Sequence, residues 1–316
     1  MTVVINNFLK DRSVLVTGGT GSLGRPLIRR LLQEDIKKII CFSRGEHKQV
    51  EFERELSDKR LRFLIGDIRD RDRLKRAFRG IDFIIHCAAL KHVPKCERDP
   101  LEAKKTNVDG AENIIEAAID CGAKKVLAIS TDKAVNPISV YGTAKALADD
   151  LFIQATQYGD TVFSVIRFGN FIGSRGSIVP LFKKQKELNV PLTITHPEMT
   201  RFFISFNDAV DRILDTLLLM HGGEVFYPKM KSAKILDIAD IIDNNTKKLI
   251  GIRVGEKIHE ELITIHDFQK VYETPQFFIV ADKVKDGVIK KDFEYNSKNN
   301  PWWFTGKEIE DLIVNG

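Results

Sequence analysis

The chain has 316 residues, 43% of them apolar and 29% charged, with 49 Lys and Arg against 44 Asp and Glu for a formal charge of +5. That length buries a substantial core without disulfides, and the composition is globular rather than disordered or fibrous. Acidic and basic residues are interspersed and the longest apolar runs, such as "ILDTLLLM", are short, which argues against a nucleic-acid stripe and a membrane span.

The first half alternates. "SVLVTG" reads as a buried strand. "SLGRPLIRRLLQ" follows with Leu23, Leu27, Leu31 and Leu32 at helical spacing. "KIICFS" is the next strand. "HKQVEFERELS" is a charged helix with Val50, Phe52 and Leu56 near one side. "LRFLIGD" and "DFIIHCAA" are strands around the short helix "RDRLKRAF". "DPLEAKKTNVDGAENIIEAAIDCG" is one long helix, with Pro100 near its start and Gly122 as its stop. "KKVLAIS" and "VFSVIRF" are strands flanking a loop and helix. This pattern predicts an α/β, doubly wound, Rossmann-type parallel sheet over residues 1–170. Past Phe168 the rhythm breaks into short elements, and "NDAVDRILDTLLLM" is an amphipathic helix with Asn207 as N-cap. Residues 171–316 are expected to form mainly a smaller substrate-binding lobe, with the stretch around 200–225 returning to the first domain.

Cys41, Cys87, Cys96 and Cys121 form no CxxC pair, and no histidine cluster has metal-ligand spacing. They read as small buried hydrophobes in a reducing compartment, with no metal. No charged-then-apolar signal opens the chain, so a cytoplasmic enzyme is expected.

"VTGGTGSLG" puts Gly18, Gly21 and Gly24 between a strand and a helix. Glycines there let backbone approach a pyrophosphate at a helix N-terminus, so Thr20, Ser22 and Leu23 of the same loop join them as cofactor contacts. The second strand ends at "FSRGEHK", where NAD-preferring folds carry an acid for the ribose 2′-hydroxyl. Here stand Ser43 and Arg44, with Lys48 a turn later. Two cations suit a 2′-phosphate, which predicts NADP. Asp67 and Ile68 end the third strand near the adenine. Ala88, Ala89 and Lys91 follow the fourth, where small side chains leave room for the cofactor.

"STDKAVNPISVYGTAK" concentrates proton-transfer groups. Tyr141 and Lys145 are four apart and share a helix face. A nearby ammonium stabilises a tyrosinate, so the pair can take a proton from an alcohol as hydride leaves its carbon. Thr131 can bind the same oxygen. Together with the glycine loop, this set resembles the extended short-chain dehydrogenase/reductase superfamily. Asp132 and Lys133 go further. They, with "LKHVP", "NVDGAENIIEAA", "RFGNFIGSRGSIVPLF", "PLTITHPEMTRFFIS" and "GEKIHEELI", resemble the UDP-N-acetylglucosamine 4,6-dehydratases of surface-glycan pathways over residues from about 10 to 265.

The resemblance implies that Asp132 and Lys133 are an acid–base pair. Lys133 would remove the C5 proton and Asp132 protonate the departing C6 hydroxyl, with the reverse division left open. A lysine base requires that burial or neighbours depress its pKa, and Lys145 and an oxidised nicotinamide are expected to help. The resemblance also implies Asn107 and Lys91 as cofactor contacts, and Lys91, Asn170, Thr195, Arg201, Arg253 and Glu256 as the UDP-sugar site. Arg175 and Lys257 are further cations near the diphosphate. Retention of Tyr141 and the lack of a membrane span match the branch that inverts C5, and the family implies a homo-oligomer. Two other readings stand beside this one. A UDP-hexose C4 epimerase needs Tyr141 and Lys145 but no pair at 132–133. A non-enzymatic NADP-binding sensor or scaffold needs neither. Trp302 and Trp303 are read as packing the tail onto the core or onto another subunit.

Overall fold

The computed structural model describes residues 2–315 except 175, 245–246, 266–269, 283 and 285–286. In chain order the first half contains α1 (Thr2–Leu9), β1 (Ser13–Thr17), α2 (Gly24–Leu31), β2 (Lys38–Ser43), α3 (Glu46–Glu55), β3 (Leu61–Ile65), α4 (Arg71–Phe78), β4 (Phe83–His86), α5 (Val93–Arg98), α6 (Pro100–Lys104), α7 (Gly110–Asp120), β5 (Lys125–Thr131), α8 (Val140–Ala155) and β6 (Val162–Phe168). The strands run parallel in the order β3-β2-β1-β4-β5-β6, the Rossmann-type α/β arrangement that the alternation predicts. All of β1 and β4 is buried, as continuous apolar strands covered on both faces must be. The strand order reverses between β1 and β4, which opens a crevice at their carboxyl ends.

The second half contains β7 (Asn170–Phe171), α9 (Ile178–Glu187), β8 (Leu192–Ile194), β9 (Thr200–Ile204), α10 (Phe206–Leu219), β10 (Val225–Pro228), β11 (Lys231–Lys234), α11 (Ile235–Ile242), β12 (Lys247–Leu249), β13 (Glu261–Ile263), β14 (Val271–Glu273), β15 (Phe277–Val280), β16 (Val288–Lys290), β17 (Tyr295–Asn296) and α12 (Gly306–Asn315). β10 joins β6 in parallel, and β15, β14 and β16 continue outward antiparallel, making ten strands among the described residues. The chain thus rejoins the central sheet as late as residue 290. α10 packs with α1 and α2 on one face, while α4, α7 and α8 cover the other. A separate core of Ile172, Phe182, Ile194, Phe203, Ile238 and Ile309 holds α9, α11 and α12 together.

Local details depart from the periodic reading. The long helix is broken: residues 105–109 form a π-helical turn between α6 and α7, which turns Thr106 and Asn107 inward. α10 is capped by Ser205, not Asn207, because the Ser205 hydroxyl accepts from the Asp208 N–H at 3.0 Å. In α3 it is Gln49 and Phe52 that are buried, and Val50 is exposed. Cys41 and Cys96 are buried, Cys87 and Cys121 half-buried. Trp302 packs on Phe278 and Tyr295, whereas Trp303 is partly exposed.

Candidate active site

The floor of the crevice is bare backbone. Gly18 adopts a φ of +65°, and a Cβ there would lie 3.0 Å from the Ala88 backbone. At Gly24, where α2 begins, a Cβ would meet the Gly18 carbonyl oxygen at 2.5 Å. Glycine alone fits both places. The resulting cavity, ≈ 430 Å³, is lined by Gly18, Thr20, Gly21, Ser43, Arg44, Lys48, Asp67, Ile68, Ala88 and Ala89. Ser43 is buried, held by Thr20 at 3.2 Å and Gln49 at 2.9 Å. Arg44 stands at the rim, with Asp67 3.9 Å away. Burial works against ionisation of Asp67, but Arg69 and Arg44 outweigh it and hold the carboxyl below its ordinary range.

The cavity continues past Ser22, Leu23, Gly24 and Lys91 to Thr131, Lys133, Tyr141, Lys145 and Asn170. α8 carries Tyr141 and Lys145 one turn apart, both buried. Its start is fixed by Ser139, whose hydroxyl accepts from the Gly142 N–H at 3.0 Å. Burial pushes the Tyr141 phenol up to about 12, against the pull of Lys133 and the Thr131 hydroxyl. Lys133 thus pulls on the phenol, a part the sequence gives to Lys145. Lys145 instead donates to the Ile129 carbonyl at 2.9 Å, and burial lowers its own pKa.

Lys133, half-buried at the wall, belongs to a quartet of charges whose other members, Asp132, Glu260 and Arg201, are buried. Its Nζ is 3.0 Å from Asp132 Oδ1 and 3.1 Å from Glu260 Oε1, and Arg201 Nε is 3.6 Å from the same Glu260 oxygen. Thr131 donates to Asp132 Oδ1 at 3.0 Å. Asp132 Oδ2 and Glu260 Oε2 are buried with no hydrogen-bond partner among the described residues. Burial pushes Lys133 toward neutrality, but the two carboxylates outweigh it and raise its pKa above that of an ordinary lysine. The expected depression of Lys133 is thus reversed in the resting protein. Burial works to raise both carboxyls. In Glu260, Lys133 and Arg201 prevail and hold it low, whereas in Asp132 burial prevails and keeps it high.

An adjoining cleft gathers Lys91, Lys133, Asn170, Thr195, Arg201, Arg253, Glu256 and Glu260. Arg201 is buried, and its guanidinium donates to the carbonyls of Thr200, Lys257 and Ile258 at 2.7–2.9 Å. Those bonds, with Glu260, engage the donors that the sequence reading assigned to a diphosphate. Arg253 is exposed, which leaves it the freer cation of the two. Lys257 donates to the Val135 carbonyl at 2.6 Å, tying this loop to the turn that holds Asp132 and Lys133. Arg175 lies outside the described residues.

The model of the polysaccharide biosynthesis protein family matches residues 14–282. The chain belongs to that family. An inverting UDP-N-acetylglucosamine 4,6-dehydratase of Campylobacter jejuni is 42% identical over 96% of this chain and 97% of its own. A UDP-glucose 4-epimerase of Rickettsia conorii is 41% identical over 91% and 88%. The crystal structure of Pen from Bacillus thuringiensis superposes with a TM-score of 0.91 at 37% identity, covering 98% of each chain. A dTDP-glucose 4,6-dehydratase from Streptomyces venezuelae, solved with NAD, shares the fold with a TM-score of 0.71 at 24% identity, covering 78% of this chain and 86% of its own. The resemblance read from the motifs holds. Among the described residues no helix of this family member is long and apolar enough to cross a membrane.

Two expected site residues stand back from the cleft walls. Asp132 is fully buried behind Lys133 and Thr131. Asn107 spends its carboxamide on Leu90, accepting from its N–H and donating to its carbonyl, both at 2.8 Å. It shapes the loop that carries Lys91. Glu260 was not foreseen. Its only trace in the sequence is an acidic pair, "HEEL", after the expected Glu256.

Proposed function

We propose that the protein is a UDP-N-acetylglucosamine 4,6-dehydratase that inverts C5, an NADP-dependent hydro-lyase making a 4-keto-6-deoxy sugar nucleotide for surface-glycan synthesis. One observation carries the reading: the wall that holds Tyr141 and Lys145 also holds Lys133, with Asp132 bonded to it. Alcohol oxidation needs only the first two, and the second pair supplies elimination. The Campylobacter relative supports the same reading.

A nicotinamide dinucleotide suits the glycine cradle, where Gly18 and Gly24 let the turn and the start of α2 pack more closely than any Cβ would allow and present bare backbone to a pyrophosphate. When bound it supplies hydride uptake and return. Arg44 and Lys48 at the rim favour the 2′-phosphate form. The NAD of the Streptomyces structure belongs to a more distant chain, so this preference rests on those two cations.

Tyr141 takes the proton of the C4 hydroxyl, with the Thr131 hydroxyl on the same oxygen. Lys145, fixed by Ile129, holds the cofactor side of the site. Oxidation at C4 acidifies the C5 proton. Lys133 lines the cleft and Asp132 does not, which favours Lys133 as the group that removes it. Asp132, behind the wall, passes its proton through the Thr131 hydroxyl, 3.0 Å away in the cleft, which hands its own to the C6 hydroxyl as that leaves as water. A proton returned to C5 on the opposite face inverts that centre. Arg253 and Glu256 face the nucleotide end, Glu256 suiting ribose hydroxyls.

The test is incubation with UDP-N-acetylglucosamine in D₂O, followed by NMR. Deuterium at C5 with inverted configuration is expected, and an unchanged sugar refutes the dehydratase reading. The Rickettsia relative favours a second reading, UDP-hexose C4 epimerisation. The same spectra separate them, since epimerisation keeps the C6 hydroxyl.

A further inference from the structure

Lys133 is gripped from two sides by carboxylates that come from distant parts of the chain. Asp132 is its neighbour in sequence, and Glu260 enters from the segment just before β13. Glu260 is 1% exposed, and its backbone is itself fixed, the N–H donating to the Ser297 hydroxyl at 2.9 Å. Arg201 closes the set on the far side of Glu260, pinned by three backbone carbonyls. A buried charge costs free energy unless it is paired, so these two carboxylates and two cations are held there by mutual neutralisation. Two positive and two negative charges sum to zero.

We propose that Glu260 is the positioning residue for Lys133: it holds Nζ at the cleft wall opposite Asp132 and keeps the quartet neutral when a proton passes from Lys133 to Asp132. The inference rests on the dehydratase reading for its consequence, though not for its geometry. The step balances within the quartet. An Nζ–H bond breaks and an Oδ1–H bond forms along the existing 3.0 Å hydrogen bond. Lys133 becomes a neutral amine, able to take the C5 proton, and Asp132 becomes the acid that the leaving hydroxyl needs. No proton enters from solvent. Glu260 and Arg201 stay ionised and paired throughout.

The charged and titratable groups facing Lys133 are Asp132 on its own turn, Tyr141 from α8, Glu260 from the segment before β13 and Arg201 from β9. Lys257 and Glu256 act at one remove, on Glu260 and Arg201. Glu260 raises the affinity of Lys133 for its proton, so its removal must lower it.

Two measurements test the proposal. In protein carrying ¹³C-labelled lysine, the Lys133 resonance, assigned by its loss in Lys133→Arg, is titrated in wild type and in Glu260→Gln. The midpoint is expected to fall by about one pH unit or more in the variant. An unchanged midpoint overturns the proposal. This measurement needs no turnover, so it decides the point even if the wild type dehydrates no sugar nucleotide, an outcome that would refute the dehydratase reading alone. In the second, elimination and the C4 hydride step are timed separately with UDP-N-acetylglucosamine. Glu260→Gln is expected to slow elimination by about tenfold or more, the scale of an acid–base contribution, and the hydride step by less. Glu260→Asp should recover part of the rate. Equal slowing of both steps with no movement of the pH profile would mark Glu260 as merely structural and overturn the proposal. If Glu260→Gln does not fold, Glu260→Asp, with its shorter reach to Nζ, carries both measurements.

Discussion

Gly142 lies against Lys133: a Cβ on Gly142 would sit 2.3 Å from the Lys133 carbonyl oxygen. That contact sets the first turn of α8, and so Tyr141, directly on the turn that carries Asp132 and Lys133. Gly142→Ala must separate the two. A cost of about 1–3 kcal/mol is expected for such overpacking, seen as a lower Tm. kcat should fall more than KM rises, because the phenol moves relative to the base. A variant with wild-type kcat would show that the contact is slack.

Arg44 and Lys48 form the basic rim beyond β2. Arg44→Ala should weaken NADP⁺ binding by about tenfold or more, the loss of one charge-assisted hydrogen bond, and leave NAD⁺ binding nearly unchanged. Titration of both dinucleotides by calorimetry checks this. Equal affinities in wild type would remove the basis of the NADP assignment.

The two arginines of the nucleotide cleft should fail differently. Arg201 is buried and bonded to three carbonyls, so Arg201→Met strands those acceptors and leaves Lys133 alone to balance Asp132 and Glu260. A loss of about 3–5 kcal/mol is expected, as for breaking other buried pairs, with a large fall in Tm. Arg253 is exposed. Arg253→Ala should leave Tm within a degree or so of wild type, as most surface changes do, and raise KM for the sugar nucleotide. Thermal melts beside steady-state kinetics separate the two cases.

Asp132→Asn should separate stability from activity. Burial holds the Asp132 carboxyl above its ordinary range. As pH rises from that range through the higher folded value, the native protein keeps a proton that the unfolded chain has released, so stability falls across the window. The amide removes that loss. The amide also takes from Lys133 its nearest carboxylate, so near neutral pH the two effects oppose and Asp132→Asn is expected to change Tm little while elimination drops by about 10²-fold or more. A melt over several pH values and product analysis check both halves. A Tm well below wild type at neutral pH would contradict the sign.

Local order made much of this protein legible. The strand–turn–helix around Gly18, Gly21 and Gly24 and the four-residue step from Tyr141 to Lys145 depend on neighbours in sequence, and both stand where the spacing puts them. The cap of α10 was also legible. Ser205 is followed three residues on by Asp208, an arrangement close to a capping box, but Asn207 sat nearer the apolar run and drew the assignment. The pairings around Lys133 were not legible. Glu260 reaches it, with Arg201 beyond, because β13 folds against the turn that follows β5, and no periodicity records that. The same tertiary placement explains why the sequence assigned Arg201 to a phosphate. Its charge is visible in the sequence, but the three carbonyls that engage it are not.

The short segment from Arg253 to Glu260 has a second consequence. Its near end carries Arg253 and Glu256, proposed for the nucleotide, its far end carries the carboxylate that grips Lys133, and Lys257 ties its middle to Val135. Grip on the nucleotide handle is thereby coupled to alignment of the base. A substrate shortened to the sugar phosphate would lose rate as well as affinity, because binding far from the reacting carbon helps set the geometry of the chemical step.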